Sequence, residues 1–291
     1  MLEKKYPPIG EIIDVDNKST HIRIIEGEDP TILFFSDIDM YGSLNWDPVQ
    51  NSLGDSVKTI SYDRYGYYWS EEGTQPRDAI AISKEIESIL GTKEEKGPYI
   101  IVCHAMGAIY GRVFAGRNLE DVYGIIFIDP VHPEQLNGMR ELGINKKLPQ
   151  KEQRFVIKLI SKLGLSDSDS LEQYYVSDDL YRIAKGYYSK NSLAWFDEKI
   201  ETENSLLQAK EYTSFGEKPL VILTSKSTYS GYENLLALWL ELQSDLLNLS
   251  SNSKQVILEN VGHYAHIEEP QVVVAEVMNM IDTYKVYKGT D

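Results

Sequence analysis

The chain has 291 residues, 42% of them apolar, and its 29 basic against 45 acidic residues give a net charge of -16. That length and apolar content suffice for one large α/β domain with a sizeable core, while the acidic balance repels phosphate backbones and anionic membranes and so argues against nucleic acid as a partner. One cysteine, Cys103, excludes an internal disulfide framework and leaves no Cys/His cluster for structural zinc, so it reads as a small buried residue.

The N-terminal stretch MLEKKYPPIGEIIDV has no signal-peptide core, and no run approaches the roughly 18 apolar residues of a membrane span. The expected protein is soluble and cytoplasmic. Residues 11–16 and 20–26 alternate as an antiparallel hairpin joined by Asn17 and Lys18. Residues 31–35 form a continuous apolar run, the pattern of a strand buried on both faces. A loop follows over 36–45, then a short helix near Trp46. The next strand, 57–62, ends in Asp63-Arg64-Tyr65-Gly66, where the Asp63–Arg64 pair reads as structural, holding the loop after its strand. Ile80, Ile82, Ile86 and Leu90 recur at helical spacing and predict a helix over 78–90 that closes at Gly91.

Residues 98–133 organise the chain. An apolar strand (99–103), a very tight turn (104–107), a helix carrying Ile109, Val113 and Phe114, and a second strand (125–128) that stops at Asp129 follow in order. Strand, sharp turn and helix make the nucleophile elbow, whose pattern G-x-S-x-G puts small residues where strand and helix approach closely. Here it reads Cys103-His104-Ala105-Met106-Gly107, with alanine at the nucleophile position. Residues 134–212 change to charged, aromatic-rich helical segments without a convincing strand, as expected of a helical lid inserted between two core segments, 1–133 and 213–291. A strand at 219–224, a helix at 235–249, a strand at 255–258 and a helix at 270–287 complete the chain. The expected fold is α/β, a mostly parallel, doubly wound sheet with an N-terminal hairpin.

Four segments resemble the α/β-hydrolase superfamily in the right order, and most closely its bacterial lipase/esterase-like branch: SYDRYGYYWS (61–70), YIIVCHAMGA (99–108), IFIDPVHP (126–133) and VGHYAHIEEP (261–270). The resemblance implies a hydrolase acting on a small-molecule ester, lactone or amide through an acyl-enzyme. It makes His263 the general base, with a carboxylate that fixes its tautomer. Asp129, after the strand that follows the elbow, and Glu233, the first carboxylate after the strand at 219–224, are both candidates for that acid. A carboxylate ending a buried strand needs a partner, which favours Asp129. The oxyanion hole maps to the amides of Met106 and of Asp37 or Ile38. Asp37 and Asp39 stand where relatives carry glycines; pointing inward they would oppose an oxyanion, and the expectation is that they are exposed. His104, Tyr175, Tyr188 and Trp195 are candidates for the substrate pocket, although the aromatic residues serve equally well in helix packing.

No cofactor fingerprint is present: Gly107, Gly111 and Gly116 have neither dinucleotide nor phosphate-loop spacing, and His132 with His266 lacks a metal-ligand spacing. Alanine at 105 has no nucleophilic atom, which leaves three readings open. The first is an inactive variant of an esterase. The second is a natural pseudoenzyme binding a small ligand or partner. The third is a His263-dependent lyase or oxygenase without a covalent intermediate.

Overall fold

The computed structural model describes residues 2–171, 177–229 and 231–289. A single helical turn, α1 (Leu2–Lys5), precedes the hairpin of β1 (Glu11–Val15) and β2 (Lys18–Ile25). Val15 already pairs with Lys18, so the turn is Asp16-Asn17, one residue earlier than the pattern suggested. Both turn residues have left-handed backbone, φ 53° and 61°, the conformation a two-residue hairpin turn needs to match strand twist.

After β3 (Thr31–Phe35), a 3-10 turn at Gly42–Trp46 leads into α2 (Asp47–Leu53), then β4 (Thr59–Tyr62) and α3 (Ala79–Thr92). The side chain of Asp78 caps α3 by accepting from the Ala81 amide, and the helix runs through Gly91 rather than closing there. Then come β5 (Tyr99–His104), α4 (Gly107–Arg117) and β6 (Val122–Ile128). Residues 134–212 supply α5 (Gln135–Glu141), α6 (Arg154–Leu163), α7 (Asp178–Lys199) and α8 (Thr202–Lys210). Of these, α6 leans on α7, and α8 packs back onto α3 and α4. The chain closes with β7 (Leu220–Ser225), α9 (Glu233–Asp245), β8 (Ser253–Leu258), a one-turn α10 (Ala265–Glu268) and α11 (Pro270–Lys288).

The strands form an eight-stranded sheet in the order β1-β2-β4-β3-β5-β6-β7-β8. β1 with β2 and β2 with β4 are antiparallel, and every later pair is parallel. Alternating side chains of the central strands feed two cores. Leu33, Phe35, Ile101, Cys103 and Phe127 pack under α3 and α4, while Phe34, Val102, Ile126 and Leu223 pack with Trp46 and with Val273 and Val277 of α11. Burial on both faces is why these strands read as unbroken apolar runs. No helix among the described residues is long and apolar enough to cross a membrane.

Candidate active site

The C-terminal ends of the parallel strands bring the predicted site residues together. β5 hands over to α4 through Ala105, whose φ of 48° lies in the left-handed region. The turn is anchored on both sides: the Ala105 amide donates to the Ile128 carbonyl at 3.1 Å, and the Ala105 carbonyl accepts from Val131 at 3.0 Å. A Cβ on Gly107 would fall 2.2 Å from the Phe35 carbonyl oxygen, so only glycine lets α4 start this close to β3. At the other small-residue position of the motif stands Cys103, and the room for its Sγ comes from Gly111, where a Cβ would sit 2.3 Å from that sulfur.

Asp129 ends β6, buried and with a φ of 44°. Its Oδ1 accepts from the Ser225 amide at 3.0 Å, and its Oδ2 accepts from Thr228 Oγ1 at 2.6 Å and from His263 Nδ1 at 2.6 Å. This set satisfies a carboxylate that would otherwise be costly to bury. Glu233, the alternative acid, is exposed at the first turn of α9 and makes no bond to His263. The His263 loop is braced by Glu268, which accepts from the amides of Gly262 at 2.7 Å and Tyr264 at 3.3 Å. Burial alone would lower the pKa of His263. The bond to Asp129 and the fields of Asp129, Asp37 and Asp39 outweigh it and raise the pKa above the ordinary histidine value.

Asp37 changes the reading of the site. Its Oδ1 accepts from the Met106 amide at 2.9 Å, the amide assigned to the oxyanion hole. Burial opposes the Asp37 charge, but Lys199, His104, His263 and the Met106 N–H together hold its carboxyl below the usual range, so it is ionised at neutral pH. Asp39 turns the other way, accepting from the amides of Tyr41 and Gly42 at 2.9 and 2.8 Å and from Asn45 at 2.5 Å. Burial, reinforced by the charge of Asp37, pushes its pKa up to about 7. The expectation that both carboxylates are exposed is corrected: Asp39 is buried and Asp37 is partly buried facing the cavity. Ile38 between them points into the core.

A cavity of about 170 Å³ opens beside Ala105, Met106, Asp37 and His263. Leu136, Met139 and Leu206, from the segment 134–212, with Trp239 of α9, give it an apolar wall. Lys146 and Lys199 also line it, and neither forms an ion pair with a described carboxylate. His104, Tyr188 and Trp195 are not in this wall, which corrects the pocket expected from sequence. His104 is buried, with Nε2 2.9 Å from the His263 carbonyl oxygen and its ring against His266; burial and the neighbouring His263 push its pKa down to about 4. Tyr188 and Trp195 pack against the aromatic cluster around Tyr68 and Tyr187. Tyr175 lies outside the described residues.

Sequence reasoning also missed how the loop after β3 is held. Arg64 donates to the carbonyls of Ser36 and Asp37 at 2.8 and 2.7 Å, and to both carboxylate oxygens of Glu198 at 2.8 and 2.9 Å. It thus ties α7 to the loop that carries Asp37, while Asp63 lies 2.9 Å from His21 Nδ1 and accepts from Ser43, so Asp63 and Arg64 take separate partners instead of forming the expected pair. Arg64 lies in the segment SYDRYGYYWS, but nothing local marks Glu198, 134 residues away. His132 is bonded to Asp245, at 3.1 Å, and His266 is buried against Trp46, so the two do not meet. No group of three or more metal-ligating side chains occurs among the described residues.

The model of the alpha/beta hydrolase family matches residues 34–277. The uncharacterized protein YqjL of Bacillus subtilis (strain 168) is 24% identical over 260 residues, 89% of this chain and 87% of that protein. An AB hydrolase superfamily protein of Gibberella zeae is 23% identical over 282 residues, 81% of each chain. Among solved structures, an epoxide hydrolase from Bacillus megaterium superposes with a TM-score of 0.64 at 20% identity, over 94% of this chain and 100% of that one. One from Vigna radiata gives 0.71 at 14% identity, over 94% and 97%. At these identities the superpositions bear on fold.

Proposed function

The chain belongs to the alpha/beta hydrolase family, and from that premise we propose that it is a ligand-binding member whose acyl-transfer chemistry is closed at two points. The observation that carries this reading is the hydrogen bond from the Met106 amide to Asp37 Oδ1, 2.9 Å. An acyl-transfer site needs that donor free for a developing oxyanion, and here a carboxylate holds it. Ala105 removes the nucleophile independently. A single replacement of a parental serine would account for Ala105 but not for Asp37.

In this reading residues 134–212 form a lid over the pocket, and the ligand is a small organic acid. Its apolar body lies on Leu136, Met139 and Leu206, and its carboxylate meets Lys146 and Lys199, two cations facing the single carboxylate of Asp37. Thermal-shift titration with hexanoate and with 1-hexanol tests the charge requirement. Hexanoate is expected to stabilise the protein and 1-hexanol to do so less, with the difference lost in the Lys146→Met/Lys199→Met variant. Equal shifts, or none with hexanoate, refute the assignment.

A second reading has one observation in its favour. The Asp129–His263 pair, 2.6 Å apart and braced from three sides, has the arrangement of a general base and its orienting acid. A form carrying serine at position 105 would then hydrolyse a small ester, lactone or amide. The two readings part on Ala105→Ser alone: the binding reading expects it to stay inert to a fluorophosphonate until Asp37 is also removed, and the hydrolase reading expects it to react.

A further inference from the structure

We propose that α6 is a membrane-surface contact, laying an apolar face on an anionic lipid bilayer without crossing it. The helix is inverted relative to an ordinary surface helix. Phe155, Leu159 and Leu163, four residues apart and therefore on one face, are 79%, 50% and 60% exposed, with Val156 beside them at 55% and Leu165 just beyond the helix at 67%. The opposite side is held down by ions. Arg154 donates to both oxygens of Asp197 at 2.7 and 2.8 Å and to Glu72 at 3.0 Å, and Lys158 donates to Glu72 at 2.6 Å. Ile157 and Ile160 are half-buried on the protein side with these ion pairs, so the exposed side keeps the larger apolar stripe, with Lys162 at its end.

Charge selects the occupant. Residues 146–165 contain six basic side chains, Lys146, Lys147, Lys151, Arg154, Lys158 and Lys162, against one acidic, Glu152, a segment balance of +5 in a chain of net charge -16, although Lys151, Arg154 and Lys158 are paired with Glu201, Asp197 and Glu72. The remainder therefore carries -21. Lys146, Lys147 and Lys162 pair with no described carboxylate. A second copy docking on this face about a two-fold axis would bring two sets of these three lysines together, whereas anionic headgroups complement them and acyl chains take up the apolar stripe. The acidic remainder is repelled by the same surface, so this segment is the one that can approach it, within a Debye length of about 8–10 Å. Lys146 and Leu148, which line the cavity, belong to the segment entering α6, so docking engages a stretch of chain continuous with the pocket wall.

The test is flotation of the full chain with vesicles of phosphatidylcholine containing 30 mole percent phosphatidylglycerol, against pure phosphatidylcholine, with about 30 mole percent chosen to give a strong surface potential. The protein is expected to float with the anionic vesicles, to do so less as salt is raised, and to lose about tenfold or more of its partitioning in Phe155→Glu/Leu159→Glu. Both positions are exposed, and an unchanged melting temperature confirms that the variant is folded. Absence of flotation, equal partitioning into neutral vesicles, or undiminished binding by the folded variant overturns the proposal. So does a dimer seen by sedimentation without lipid that the same variant dissociates.

Discussion

Removing Asp37 in the presence of a restored nucleophile probes the site most directly. In Ala105→Ser the new hydroxyl would sit at the elbow near His263, yet the Met106 N–H remains engaged by Asp37 Oδ1 at 2.9 Å. Loss of one oxyanion donor lowers kcat by about 10² to 10³, or roughly 3–4 kcal/mol of transition-state stabilisation. A charge at about 4 Å adds repulsion of order 4 kcal/mol at an effective dielectric of 20. The two effects overlap, so the conservative expectation is the donor term alone. kcat/KM for p-nitrophenyl acetate should rise about 10² to 10³-fold from Ala105→Ser to Ala105→Ser/Asp37→Ala. Asp37→Asn in the same background separates the causes, because a carboxamide oxygen can still accept from Met106 but carries no charge. If the folded single variant already hydrolyses the ester within about threefold of the double variant, Asp37 does not block the hole and the reasoning fails.

Three further outcomes follow from the packing around the site. Gly111→Ala should cost about 1–3 kcal/mol in urea unfolding, because its Cβ meets Cys103 Sγ at 2.3 Å; Cys103→Ala/Gly111→Ala should recover that loss, and additive losses would contradict the steric account. Glu198→Gln leaves Arg64 and Arg77 buried without their shared carboxylate and should destabilise by about 3–5 kcal/mol, so a change under about 1 kcal/mol would show that the network is not coupled to the fold. Burial and the neighbouring His263 lower the folded pKa of His104 to about 4 from the ordinary histidine value of 6.5. Between those values the unfolded chain binds the proton and the folded one does not, so stability falls as pH drops from 6.5 toward 4, by order of 3 kcal/mol. His104→Phe should flatten that part of the stability profile, and an unchanged slope would assign the acid sensitivity elsewhere.

Much of this was legible in sequence because it is written in local pattern. Runs such as 31–35 and 99–103 announced strands buried on both faces, the Gly-bearing tight turn announced the elbow, and Asp129 at the end of an apolar run needed a partner. The hairpin turn lies one residue earlier than alternation suggests, because side-chain alternation does not register a left-handed Asp16-Asn17 pair. The cavity wall is hidden from the sequence for a different reason. Aromatic composition in 134–212 cannot distinguish a wall from a packing cluster, and Trp195 and Tyr188 joined the latter.

By itself, then, the chain's pattern of apolar runs, tight turn and ordered motifs determined the α/β sheet and the candidate base and acid, since these depend on neighbours close in sequence or on strand ends. Only the tertiary structure decided which way Asp37 points, because Met106 lies 69 positions away and the direction is set by Arg64 and Glu198 gripping the loop from α7. The same is true of α6. Its amphipathic sequence is local, but that its apolar face looks outward follows from Glu72 and Asp197, which reach its cations from elsewhere in the fold.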